Sequence, residues 1–128
     1  MVGNRTVLVV EDNDMNMQLV EYLLEEGGYS IVKATSGEEA LALTRSETKR
    51  PDLILMDIHL PGMDGLSVVR EMKTDERTNR IPILALTAHA MRGDRERFLA
   101  GGCSGYIPKP IDTATFIREI ERYLVSSR

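Results

Sequence analysis

The sequence predicts an α/β fold in which an open, parallel, five-stranded sheet carries helices on both faces. Five short apolar runs alternate with segments whose apolar residues recur at helical spacing. Three runs, Val7-Leu8-Val9-Val10, Leu53-Ile54-Leu55-Met56 and Ile83-Leu84-Ala85-Leu86, are continuously apolar, as parallel strands buried on both faces are. The other two, Tyr29 to Thr35 and Tyr106-Ile107, are interrupted by Lys33 or cut off by Pro108, which sheet edges tolerate. Broken runs at the edges and continuous runs inside are compatible with the strand order 2-1-3-4-5.

The first run passes into Glu11, Asp12 and Asn13, after which Met15, Leu19, Val20, Leu23 and Leu24 mark a helix stopped by Gly27 and Gly28. After the second run, Ser36-Gly37-Glu38-Glu39 fits a capping box and opens a helix carrying Ala40, Leu41 and Leu43. The third run closes on Asp57 and a Pro-Gly turn, and Leu66, Val69 and Met72 then mark a helix with Asp64 as its cap. A charged stretch, Lys73 to Arg80, leads to the fourth run, which ends in Thr87. A loop over residues 88 to 93 precedes a fourth helix, roughly 94 to 100, closed by two glycines. The fifth helix begins at Asp112 and buries Phe116, Ile117, Ile120 and Leu124. Residues 1–128 are expected to form one domain, a doubly wound sheet of the flavodoxin-like kind.

Composition excludes several function classes. With 42% hydrophobic and 28% charged residues the chain can bury a core, so disorder is not expected. A net charge of −4 argues against nucleic acid as a direct partner. The longest apolar runs are about four residues against the roughly 18 of a spanning helix, so no membrane segment is expected. No apolar signal core follows MVGNRT, and Cys103 is the sole cysteine, which together suggest a cytoplasmic protein with a small buried thiol.

In an open parallel sheet, ligands sit beyond the carboxyl ends of the strands, near the switch in strand order. Those ends carry Glu11 and Asp12 after strand one, Asp57 after strand three, Thr87 after strand four and Lys109 after strand five. Singly, each has an ordinary reading: a solvated helix start for the acidic pair, a turn or cap residue for Thr87 and Asp57. Together they make a chemical set. Three carboxylates repel unless a cation neutralises them, and Mg²⁺ takes one or two carboxylates with waters and phosphate oxygens. Asp57 can then stay ionised and attack phosphorus. The captured group brings about −1.5 to −2 charges, which a Thr87 hydroxyl and a Lys109 ammonium can meet.

The segments VLVVEDN, PDLILMDIHLPGMDG, ALTAHA and GYIPKPI resemble the receiver domain of two-component response regulators, the CheY-like family. The resemblance implies that Asp57 accepts phosphate from a histidine kinase or a histidine phosphotransfer protein. It implies that Glu11, Asp12, Asp57 and the backbone carbonyl of His59 hold Mg²⁺, while Thr87 and Lys109 hold the phosphoryl group. It further implies a cis peptide before Pro110, and a switch in which Tyr106 moves inward as Thr87 moves toward phosphate. The face of the fourth helix, fifth strand and fifth helix would then dock a downstream protein.

Glu11-Asp12 departs from the family's commoner pair of aspartates by one longer acid. His59 and His89, the two histidines, stand two residues beyond Asp57 and Thr87 and are expected to tune the lifetime of the aspartyl phosphate, with a pH dependence near roughly 6 to 7. Only Val125 to Arg128 follow the last helix, so no output domain is expected and the output is expected to be protein binding. Two other classes compete. A Mg²⁺-dependent phosphohydrolase would want a second acid two residues after Asp57, where His59 stands. A flavin or nucleotide binder would want a phosphate loop after strand one, where Glu-Asp-Asn would repel phosphate.

Overall fold

A computed structural model describes residues 5–46, 50–60, 62, 64–88 and 93–126. Ten elements alternate: β1 (Thr6–Val10), α1 (Asp14–Glu26), β2 (Ser30–Ala34), α2 (Gly37–Arg45), β3 (Leu53–Asp57), α3 (Gly65–Thr74), β4 (Ile83–Thr87), α4 (Asp94–Ala100), β5 (Gly105–Pro108) and α5 (Phe116–Ser126). The sheet is parallel throughout, in the order β2-β1-β3-β4-β5. Lys33 and Pro108 do lie on the two edge strands, where Lys33 reaches Glu21 at 3.2 Å. Among the described residues no helix is long and apolar enough to cross a membrane.

Strand alternation divides the core in two. Leu8, Val10, Ile54, Met56, Ile83 and Ala85 point to the face covered by α2, α3 and α4, where Leu41, Val69, Met72 and Phe98 meet them. Val7, Val9, Leu53, Leu55, Leu84, Leu86 and Ile107 point to the opposite face, against Val20 and Leu24 of α1 and Phe116, Ile120 and Leu124 of α5. Every residue of β3 and β4 is buried, so these strands form the floor on which the site is built. Cys103 is a buried free thiol in the first of these layers.

The structure corrects local details. Met15, assigned from its spacing to the buried stripe of α1, is 79% exposed, and Met17 takes the inward place. Residues 15 and 17 lie about 200° apart on a helix, so the stripe centres on Met17, Val20 and Leu24 with Leu19 at its margin. Ser36 caps α2 through the Glu39 N–H at 3.1 Å, but Glu39 Oε1 accepts from the Thr35 N–H at 2.8 Å, one residue before the cap. Asp64 is the N-cap residue of α3 yet makes no side-chain cap bond. Instead the Gly65 N–H donates to the Ile58 carbonyl at 3.2 Å, and the helix start is held by backbone. The last helix begins at Phe116 rather than at Asp112: Asp112 Oδ1 accepts from the Ala114 N–H at 3.0 Å, and residues 113–115 form a turn leading into the helix.

Candidate functional site

The strand register sets the floor of the site. Asp57 pairs with Leu86, so the carboxylate ends β3 one step before Thr87 ends β4, and Thr87 in turn pairs with Pro108, the residue before Lys109. Backbone hydrogen bonds continue past the strands: the Ile58 N–H donates to Leu86 O at 3.2 Å and the Lys109 N–H to Thr87 O at 2.8 Å. The Glu11 N–H donates to Ala34 O at 3.0 Å, which extends the β1–β2 ladder to the acidic pair. Parallel strands thereby deliver residues from four segments to one end of the sheet. The peptide between Lys109 and Pro110 is cis.

Three carboxylates and one ammonium converge there. Glu11, Asp12 and Asp57 each offer an oxygen within 4.8 Å of the others, with Glu11 and Asp57 buried and Asp12 exposed. Lys109 Nζ lies 2.9 Å from Glu11 Oε1 and donates to Asp57 Oδ2 at 3.3 Å. The His59 N–H donates to Asp57 Oδ1 at 2.9 Å, and the Asn13 N–H to Glu11 Oε2 at 3.2 Å. Burial raises the Glu11 pKa, reinforced by Asp57 and opposed by Lys109. For Lys109, burial lowers the pKa, but the two carboxylates outweigh it and the net direction is upward. Thr87 is fully buried, with 0% exposure, and Tyr106 is half-buried, its ring 6.2 Å from that of Phe98. His59 is exposed, and His89 lies outside the described residues.

The donor set fits a small hard cation. Oxygen ligands on one Mg²⁺ lie about 3 to 4.2 Å apart at octahedral geometry, so a 4.8 Å limit asks only for small side-chain rotations or an intervening water. Glu11 Oε1 adds a buried carboxylate oxygen to that set, and here the Lys109 ammonium, 2.9 Å away, is the cation that pairs with it. Such an atom is costly unless a cation uses it.

Two supporting residues escaped the sequence reading. A Cβ at Gly65 would come 2.5 Å from the Asp57 carbonyl oxygen and 2.8 Å from Ile58 Cα, so only glycine lets α3 start against the backbone bearing the central carboxylate. A glycine at the first position of a helix, where it lowers helix propensity, was the available signal. Asn13 caps α1 by accepting from the Asn16 N–H at 2.9 Å while its own N–H holds Glu11, and the signal there was an amide directly before a helical repeat.

The comparisons with known proteins agree with this geometry. Residues 7–121 match the family model described as "Response regulator receiver domain". The chain is 49% identical to the polar-differentiation response regulator DivK of Brucella ovis over 94% of this chain and 96% of that protein. Among solved structures, the receiver domain of sensor histidine kinase PA1611 from Pseudomonas aeruginosa, with a magnesium ion coordinated in its active-site cleft, superposes with a TM-score of 0.85 at 38% identity, covering 95% of this chain and 98% of that one. Chemotaxis response regulator CheY4 of Vibrio cholerae superposes with a TM-score of 0.85 at 30% identity, covering 92% and 97%. With the five-stranded order, the clustered acids and a family match over nearly its whole length, the chain belongs to the response regulator receiver domain family.

Proposed function

We propose that the protein is a Mg²⁺-dependent phosphorylation switch in which Asp57 accepts a phosphoryl group from a histidine kinase or a histidine phosphotransfer protein. The observation that carries this reading is the convergence of Glu11, Asp12, Asp57 and Lys109 at one end of the sheet. Glu11, Asp12, Asp57 and the His59 carbonyl hold the metal, which neutralises the carboxylates so that Asp57 remains an ionised nucleophile. The His59 N–H and the Lys109 ammonium orient the two Asp57 oxygens. Lys109 and Thr87 then receive the phosphoryl oxygens. A magnesium ion in the cleft of the PA1611 receiver supports the choice of metal. His59 and His89, two residues beyond Asp57 and Thr87 in the sequence, tune the lifetime of the acyl phosphate.

The output is noncovalent, through a downstream protein docked on the α4–β5–α5 face. That face carries a groove of about 450 Å³ lined by Arg95, Leu99, Tyr106, Phe116, Glu119 and Tyr123, with Leu99 40% exposed. Inward movement of Thr87 and Tyr106 would reshape its wall, and a few kcal/mol of bias changes such a population strongly. A single thiol, buried, suits a cytoplasmic setting. The test is incubation with Mg²⁺ and a small acyl phosphate, read by intact mass. One phosphate adduct is expected in the wild type and none in Asp57→Asn; an adduct that persists unchanged in Asp57→Asn refutes the assignment.

A further inference from the structure

We propose that the Lys73 amine, at the end of α3, is acylated by small acyl phosphates, a modification separate from the chemistry at Asp57. Three segments build the place where this half-buried side chain lies. Its stem crosses Gly102, where a Cβ would stand 2.8 Å from Lys73 Cγ and where φ is +114°, so glycine leaves the room that the stem occupies. Its nitrogen donates to the Asn79 carbonyl at 3.2 Å and to the Ile81 carbonyl at 3.0 Å, both in the connection from α3 to β4. Among the described residues Lys73 forms no ion pair, whereas Lys33 lies 3.2 Å from Glu21 and Lys109 2.9 Å from Glu11. The fourth lysine, Lys49, lies outside the described residues.

Acylation needs the neutral amine, because the nitrogen lone pair is the nucleophile. A neutral amine carries two N–H groups, and the two carbonyls satisfy both while the lone pair stays available. Carbonyls also favour the ammonium less than a carboxylate does. Burial pushes the Lys73 pKa below its ordinary value, opposed by the neighbouring Cys103. That opposition is weak, since burial pushes the Cys103 thiol itself up to about 11 and keeps it neutral. In the reaction the Lys73 nitrogen attacks the acyl carbon and a C–N bond forms. The C–O bond to phosphate breaks, its electron pair leaves on inorganic phosphate, and that phosphate takes up the proton the nitrogen loses. The resulting amide keeps one N–H for two carbonyls, so either Asn79 or Ile81 loses its donor and the α3–β4 connection loosens.

The test is incubation of the full chain with acetyl phosphate, native and unfolded in guanidinium chloride, read by peptide mass mapping of the acetyl adducts. Mg²⁺ is omitted, so that phosphorylation of Asp57 does not intervene, and an acetyl adduct differs in mass from a phosphate adduct. At about pH 8, folding is expected to raise the Lys73-to-Lys33 labelling ratio about threefold or more over the unfolded chain, because each unit of pKa is tenfold in neutral amine. A native ratio equal to or below the unfolded one overturns the proposal. After the same treatment the melting temperature is expected to fall in the wild type and to hold in Lys73→Arg, which keeps donors for both carbonyls but no acylable amine. Equal falls in the two overturn the role given to Asn79 and Ile81.

Discussion

At the scale of single residues, charge placement does two different jobs in this protein. Around Asp57 the charges converge, with Glu11 and Asp57 buried, whereas at Asp75 they are peripheral: Arg77 lies 2.8 Å from its carboxylate and Arg45 3.9 Å. Hydrogen bonds from Arg77 hold the Asp75 pKa down at about 2, against an ordinary 3.8. A depressed carboxylate contributes stability that is present above its unfolded value and lost as pH falls through the folded one. The melting temperature of the wild type should therefore fall between pH 4 and about 2 more steeply than that of Asp75→Asn; parallel profiles would show that the pair contributes nothing. The clustered carboxylates were legible in the sequence because strand ends are readable as the places where apolar runs stop. Asp75, Arg77 and Arg45 were not, because ion pairs among surface residues carry no periodic signal.

At the scale of elements, the join between β3 and α3 is the most constrained. Gly65→Ala places a methyl against the Asp57 carbonyl and Ile58 Cα, both backbone atoms that cannot swing aside. It should cost about 1–3 kcal/mol in denaturant unfolding, as overpacking does, and should also weaken Mg²⁺, because the displaced backbone carries Asp57 and His59. Gly101→Ala is the control: its nearest neighbour would be a Leu66 methyl at 3.2 Å, the far end of a side chain, with φ at −78°. It should cost less than about 1 kcal/mol. Equal losses for the two would place the strain elsewhere. Elements were legible to within a few residues, and the errors have one origin. Met15 has the right spacing but the wrong azimuth, and Asp112 forms a turn that continues into the helix only four residues later. Both depend on how a helix end meets the sheet, which local sequence does not record.

At the scale of the whole molecule, the site draws on β1, β3, β4 and β5 together, so the proposed metal binding would be linked to folding. Any ligand bound only by the native state stabilises by RT ln(1 + [L]/Kd), about 2.7 kcal/mol at a hundredfold excess over Kd, which for a domain of this size is roughly 10 °C in Tm. Addition of Mg²⁺ should produce a shift of that order in the wild type and little in Asp57→Asn; a Tm indifferent to Mg²⁺ would contradict the site. The sequence by itself determined the edge strands and the carboxyl-end residues Glu11, Asp12, Asp57, Thr87 and Lys109 and was compatible with the observed strand order, because burial on both faces, edge interruption and strand termination are each written in local composition. Only the tertiary structure decided that Lys109 lies nearer to Glu11 than to Asp57, and that Gly65 is where a helix rests on the backbone of Asp57. Those relations join residues 98 and 8 positions apart through the stagger of strands, and differ by tenths of an ångström that only packing sets.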